Sequence, residues 1–238
     1  MLNLTTIIKN YMKKNVKVSV IMSVYNTDFQ LVKRALSSVL NQDFQDFELI
    51  IIDDGSDKDP ENNLLNFAID HEDKITYLRH SNCSQSKSIN KGVKFSSGDY
   101  ITMIDADDEY KPNHLRMCLE EIQNVDLIST KTHTIVDKEE DYYVPDKFNL
   151  EKGIHVDDCV LFATLFGKRE VFLNTDFMGD YAADSDFYQL ASQTYRVKKV
   201  DLRTYIYYRN IPNSITSKMK KQNSITFSNS NRYVQSDN

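Results

Sequence analysis

Two clusters of carboxylates in the 238-residue chain have the residue types and spacing for metal or nucleotide chemistry: Asp53-Asp54 and Asp105-Ala106-Asp107-Asp108. Each follows an apolar run, Phe47 to Ile52 and Tyr100 to Ile104. In a D-x-D at a strand end the two carboxylates share a side, because alternate residues of an extended chain share a face. Hard oxygen ligands of this kind suit Mg²⁺ or Mn²⁺, ions that keep some waters and take phosphate oxygens from a substrate. Acids crowded on one rim repel one another unless something positive sits among them, and a divalent ion is the simplest answer. A solvated acidic turn would give the same short motif, so the pattern has to be read with its surroundings.

Those surroundings are alternating strands and helices. Val16 to Tyr25 is β-branched and almost uninterrupted, as expected of a strand buried on both faces. Asn26-Thr27-Asp28 offers helix-capping chemistry, and Leu31, Val32, Ala35, Leu36, Val39 and Leu40 then form a helical stripe. The pattern continues with a strand at 47–52, a helix at 62–71, a strand at 75–79, a helix at 84–95 and a strand at 100–104. A helix from Pro112 through Ile122 and a strand at 125–130 follow. Such alternation implies right-handed crossovers and a mainly parallel sheet, with ligands beyond the carboxyl ends of the strands. Three strand ends therefore meet at that rim, carrying Ser23 to Asn26, Asp53-Asp54 and Asp105 to Asp108. Beyond about residue 135 the periodicity weakens. The stretch 137–146 reads as an acidic loop, 160–172 as a strand and short helix, 180–191 as a helix and 200–208 as an aromatic strand.

Composition and missing motifs narrow the function. A net charge of −6 argues against a nucleic-acid surface. Three scattered cysteines, Cys83, Cys118 and Cys159, fit a reducing compartment and no disulfide framework. No apolar run approaches the ~18–20 residues of a membrane span, so a cytoplasmic protein, peripheral to a membrane at most, is expected. There is no G-x-G dinucleotide fingerprint, P-loop, H-E-x-x-H, G-x-S-x-G elbow or EF-hand loop.

The order of segments resembles the family-2 glycosyltransferases of the GT-A fold, including the spore-coat polysaccharide and capsule-type nucleotide-sugar transferases, over roughly residues 16–215. The stretches that carry it are Val18 to Asn26, Ser38 to Gln42, and Phe47 to Ser56. The series continues with Asn82-x-Ser84-x-Ser86-x-Ser88-x-Asn90-x-Gly92, Ser97 to Tyr100, and Ile104 to Asp108. The resemblance implies an α/β GT-A domain at 16–213: a nucleotide-sugar-binding half at 16–112 and a smaller acceptor half at 113–213. A flexible leader (1–15) and a polar tail (214–238) are expected to flank it.

The resemblance also implies site roles. Ser23 and Tyr25 would border the nucleoside, and Asp54 would accept the imide N–H of a uracil, with Asp53 shaping the turn. A turn with helix capping remains the alternative for both acids. Lys87 would meet a phosphate, unless it is a solvated helix lysine. Asp105 would contact ribose or sugar, with Asp107 and Asp108 holding Mn²⁺ or Mg²⁺. Asp184 would be the general base, with Asp186 in reserve; the alternative is that Asp184 caps the helix that follows, and the two roles can coexist. Many relatives have Pro where Ser23 stands and Glu-Asp where this chain has Ala183-Asp184. Arg209 would reach a diphosphate or pair with a surface acid.

The expected activity is inverting, metal-dependent transfer from a nucleotide sugar, with UDP as the expected nucleotide, to a hydroxyl of a glycan, lipid-linked or protein acceptor. A homodimer stays open. The rival readings are a nucleotidyltransferase, which would need a Gly- and Arg-rich loop after the first strand, and a non-catalytic GT-A domain that binds a nucleotide sugar or scaffolds a complex.

Overall fold

The computed structural model describes residues 16–59, 61–150, 152–179 and 181–210, so the expected leader and tail lie outside the described residues. The alternation is present from Val18 to Met103. β1 (Val18–Val24), α1 (Phe29–Leu40), β2 (Phe47–Asp53), α2 (Asn63–Asp70), β3 (Ile75–Arg79), α3 (Gln85–Phe95) and β4 (Tyr100–Met103) follow one another. Then come β5 (Glu109–Tyr110), α4 (His114–Glu121), β6 (Leu127–Ile135), β7 (Tyr143–Pro145) and β8 (Gly153–His155). β9 (Leu165–Lys168), α5 (Arg169–Asn174), α6 (Ala183–Ala191) and β10 (Val197–Tyr208) complete the described chain.

Among the described residues eight strands form one sheet in the order β3-β2-β1-β4-β9-β6-β10-β5. β3, β2, β1 and β4 are mutually parallel neighbours, in the register Val24↔Asp53 and Asp53↔Arg79. β9 then enters antiparallel between β4 and β6, so the parallel arrangement inferred from the alternation holds for one half of the sheet and a mixed one for the other. The reason is chain economy. β9 arrives after a long excursion, and its Leu-Phe-Gly-Lys pairs on both sides without needing a crossover helix.

The period of two in β1 sends side chains into two cores. Val18, Val20, Met22 and Val24 pack with Val32, Ala35, Leu36 and Val39 of α1 on one face, whereas Ile21 joins Ile50, Ile52, Ile89 and Val93 on the other. Each such aliphatic, fully withdrawn from water, contributes ~1.5–3 kcal/mol. α3 lies close against β1 because Gly92 faces it: a Cβ there would fall 2.6 Å from Ile21 Cγ2. α1 begins at Asp28, whose carboxylate accepts from Gln30 N at 2.8 Å.

The described residues fall into two compact units, one comprising 16–133 and Val160–Tyr207, the other Thr134–Cys159 and 208–210. The second unit contains the β7–β8 antiparallel pair, with Tyr142 stacked on His155. The stretch read from sequence as an acidic loop holds a short 3₁₀ turn, Glu139–Tyr142, followed by β7. Arg209 is buried in this unit and donates to the carbonyls of Asp141 (3.1 Å) and Tyr143 (3.3 Å).

Candidate active site at the carboxyl ends of the strands

The first unit gathers the strand-end residues at one rim. Ser23 and Tyr25 end β1; Ser23 is half-buried and Tyr25 is exposed. Asn26 turns the chain with φ 52°, and its Oδ1 accepts from Asp57 N (2.9 Å) and Lys58 N (3.1 Å), tying the β1 turn to the β2 turn.

Asp53 and Asp54 face different partners. Asp53 is buried and accepts from Ser56 N (2.8 Å), Tyr77 Oη (2.6 Å) and Arg79 Nη1 (2.7 Å), so its carboxylate is committed to shaping the turn. Burial, and then the Asp53 charge, push the Tyr77 phenol up to about 12. Asp54 reaches across to the loop before α3. Its Oδ1 accepts from Cys83 N (2.8 Å), and its Oδ2 accepts from Ser84 N (3.1 Å) and Asn82 Nδ2 (3.2 Å). Gly55 between the two turns has φ 79°, and a Cβ there would meet Asn82 N at 2.7 Å; only glycine fits both demands. Ser84 itself has φ 107° and ψ 154°, a conformation that costs a non-glycine residue ~1–3 kcal/mol and is held here by the Asp54 bond.

The 105–108 segment divides in the same way. Asp108 is 1% exposed and its Oδ2 accepts from Tyr205 Oη at 2.5 Å. Asp105 and Asp107 remain half-buried at the surface of the rim. Gln85 Nε2 donates to Asp105 at 3.0 Å. Burial first, then the charges of Asp107 and Asp184, raise the Asp105 carboxyl to about 7. Burial also raises Asp107, opposed by its own backbone N–H and by Arg34. Arg34 is largely committed elsewhere: its Nε pairs with Glu109 at 3.1 Å and its Nη2 donates to the Asp107 carbonyl.

Asp184 opens α6 beside this pair. It accepts from Phe162 N (3.2 Å) and Ser185 N (2.7 Å), yet burial outweighs these bonds and raises it to about 6. Asp186, two residues on in the same first turn of α6, is exposed. The structure thus brings Asp107 and Asp184 within electrostatic reach of Asp105 and turns Asp53 and Asp108 inward. Raised carboxylates without a full set of cation partners fit a hard divalent ion bound through one or two carboxylates, waters and a ligand's phosphate oxygens. Lys87 is exposed on α3, where it lines an open cavity of about 690 Å³ with Asn82, Cys83, Ser84, Ser86 and the 177–179 segment.

Several positioning residues escape a sequence reading. Tyr77 and Arg79 alternate on the edge strand β3, a period-two polar pair that is the only available signal. Gln85 and Tyr205 carry none: Tyr205 meets Asp108 across 97 positions of sequence.

Known proteins give the arrangement a context. Residues 19–179 match the profile of Glycosyl transferase family 2. A Campylobacter jejuni GalNAc(5)-diNAcBac-PP-undecaprenol beta-1,3-glucosyltransferase is 38% identical over 95 residues, 39% of this chain and 30% of that protein. Among solved structures, S. aureus TarS 1-349 in complex with UDP-GlcNAc superposes with a TM-score of 0.65 at 18% identity, covering 84% of this chain and 60% of that one. The mannosyltransferase PcManGT from Pyrobaculum calidifontis, in complex with GDP-Man and Mn²⁺, gives 0.66 at 17% identity, covering 87% and 60%. At these identities the two structures speak for the fold, which is that of GT-A enzymes. The chain matches between 18% and 43% of the length of these curated relatives.

Proposed function

The chain belongs to glycosyltransferase family 2, and from that premise we propose that it transfers a sugar, with inversion, from a nucleoside diphosphate donor to an acceptor hydroxyl. The observation that carries this reading is the trio Asp105, Asp107 and Asp184. All three are raised chiefly by burial, Asp105 also by the charges of the other two; Asp105 and Asp107 follow β4, and Asp184 opens α6. TarS and PcManGT support the donor class, since their complexes hold UDP-GlcNAc and GDP-Man.

Asp184 is the base. Its carboxylate takes the proton from the acceptor hydroxyl as that oxygen attacks the anomeric carbon from the face opposite the diphosphate. The anomeric C–O bond breaks, and its electron pair leaves with the nucleoside diphosphate. A carboxyl raised to about 6 is a better proton acceptor than an ordinary aspartate and is still ionised near neutrality. One base and one displacement account for inversion.

Asp107 is the residue we assign to hold Mn²⁺ or Mg²⁺, with Asp105 beside it toward ribose or sugar. Asp108 positions that segment through Tyr205 rather than acting as the second ligand expected from sequence. When bound, the ion supplies charge neutralisation for the departing diphosphate. Asp54, held by three N–H groups, is set to accept a base N–H on a remaining lone pair, with Ser23 and Tyr25 alongside and Lys87 toward the phosphates. UDP is the expected nucleotide, and the acceptor is a glycan, lipid-linked or protein hydroxyl.

The test is release of UDP from a panel of UDP-sugars with Mn²⁺, followed by transfer to oligosaccharide acceptors. Turnover with one UDP-sugar that disappears in Asp184→Asn supports the reading. Metal-dependent UDP binding without turnover on any donor or acceptor would favour a non-catalytic binding domain instead.

A further inference from the structure

We propose that Asp54, His80 and Cys83 form a second cation site, distinct from the Asp105 and Asp107 carboxylates, that takes a thiophilic divalent ion such as Zn²⁺. The ligand atoms of these three residues lie within 4.8 Å of one another, the one such His/Cys/Asp/Glu group among the described residues. Two of the edges are fixed: His80 Nδ1 to Asp54 Oδ1 is 3.3 Å, and Cys83 Sγ to His80 Nδ1 is 3.6 Å. Tetrahedral zinc with Zn–N and Zn–O near ~2.05 Å and Zn–S near ~2.3 Å requires edges of about 3.3 and 3.6 Å. The match needs no movement along either edge.

The carboxylate has a vacant position for an ion, and the ring gains one once Nδ1 gives up its contact with Ser81 O. Asp54 Oδ1 accepts one amide, Cys83 N, and so keeps a lone pair. With the imidazole proton on Nε2, Ser88 Oγ accepts it at 3.3 Å while donating to Ser84 O at 3.0 Å, and Nδ1 is free to ligate. This is the outer hydrogen bond that orients a metal-bound histidine. The other tautomer directs Nδ1–H to Ser81 O at 2.7 Å, and an ion would displace that bond. Lys91 Nζ lies 3.6 Å from Cys83 Sγ. Entry is open, because Cys83 lines the 690 Å³ cavity, and a water or ligand atom from that side completes a three-ligand site.

A sulfur and an imidazole select against Mg²⁺ and Mn²⁺ and for Zn²⁺, so the two sites divide cations by softness. An ion here would also occupy the Asp54 oxygen assigned above to a nucleobase, so zinc would inhibit donor binding. That consequence rests on the proposed function, whereas the site itself does not.

The experiment uses Co²⁺ as a spectroscopic substitute on the full chain without nucleotide. Expected is a sulfur-to-cobalt charge-transfer band that is bleached by Zn²⁺, lost in Cys83→Ser, and kept in Cys159→Ser and Asp107→Asn. Cys83→Ser retains the backbone N–H on Asp54, and an unchanged melting temperature verifies its fold. Independently of any variant, Zn²⁺ slows alkylation of Cys83 about tenfold, because a ligated thiolate is withdrawn from reaction, and leaves Cys159 unaffected. Absence of the band, its survival in Cys83→Ser, its loss in Asp107→Asn, or unprotected Cys83 overturns the proposal. Competition by UDP is measured separately: a cobalt band that UDP does not displace leaves the site standing and contradicts only the role given to Asp54.

Discussion

The two edges of the sheet treat buried carboxylates in opposite ways. At the amino-terminal edge Asp126, just before β6, is surrounded by partners. Lys168 Nζ donates at 2.7 Å, Arg196 N at 2.9 Å, and the Arg196 guanidinium adds weaker contacts. The Lys168 bond leads in holding its carboxyl far below the usual range. At the carboxyl edge Asp105, Asp107 and Asp184 are half-buried; Arg34, which opposes the rise of Asp107, is shared with Glu109; and all three carboxyls are raised. One edge is neutralised by its own chain; at the other, the described residues hold no comparable set of cations. An edge built only for stability would resemble Asp126, and this difference is what supports the proposal that the rim is the site.

Substitutions separate the two edges. Asp184→Asn lowers kcat by ~10²–10⁴ with donor binding nearly unchanged, which steady-state kinetics and titration distinguish. Asp107→Asn lowers metal-dependent turnover by about 10²–10³, a few kcal/mol of charge stabilisation, and leaves or raises the melting temperature because one repelling charge is gone. Asp126→Asn does the reverse: stability falls by ~1–2 kcal/mol, discounted for the exposure of both its cations, while kcat per folded molecule is retained.

pH sharpens the same contrast. Asp105 and Asp184 have folded pKa values above their unfolded ones, so the native state binds more protons between about pH 4 and 7. Their contribution to stability is therefore lost as pH rises through about 6 to 7. Asp126 is depressed, so its contribution is present above about pH 4 and lost as pH falls below it. Metal-free protein is expected to melt several degrees lower at pH 8 than at pH 6. Mn²⁺ or Asp105→Asn should narrow that gap, and Asp126→Asn should not. kcat/KM rises with pH to a plateau above about 6 as Asp184 ionises. The smallest effect is at the Asp54 loop: Ser84→Gly relieves the φ of 107° and stabilises by about 1 kcal/mol in denaturant titration.

The parallel half of the fold was legible because long apolar runs and capped helices carry their period locally. Val18 to Val24 and Phe47 to Asp53 are each buried on both faces and end in polar turns, as their sequences suggest. β5, with two residues, and β7 and β8, with three each, are too short to show any period, and β9 joins the sheet by pairing with strands far from it in sequence. In the site, the acids themselves were legible and their orientations were not. Whether Asp107 or Asp108 points inward depends on Tyr205, and the raised Asp184 depends on burial near Phe162; neither follows from spacing.

The most direct measurement is calorimetric titration of UDP into the chain with and without Mn²⁺, on the wild type, Asp107→Asn and Asp126→Asn. The predicted result is Mn²⁺-dependent binding in the wild type and in Asp126→Asn, lost in Asp107→Asn. UDP binding that ignores Mn²⁺, or that survives Asp107→Asn unchanged, would contradict the claim that the uncompensated rim exists to receive a cation with its nucleotide.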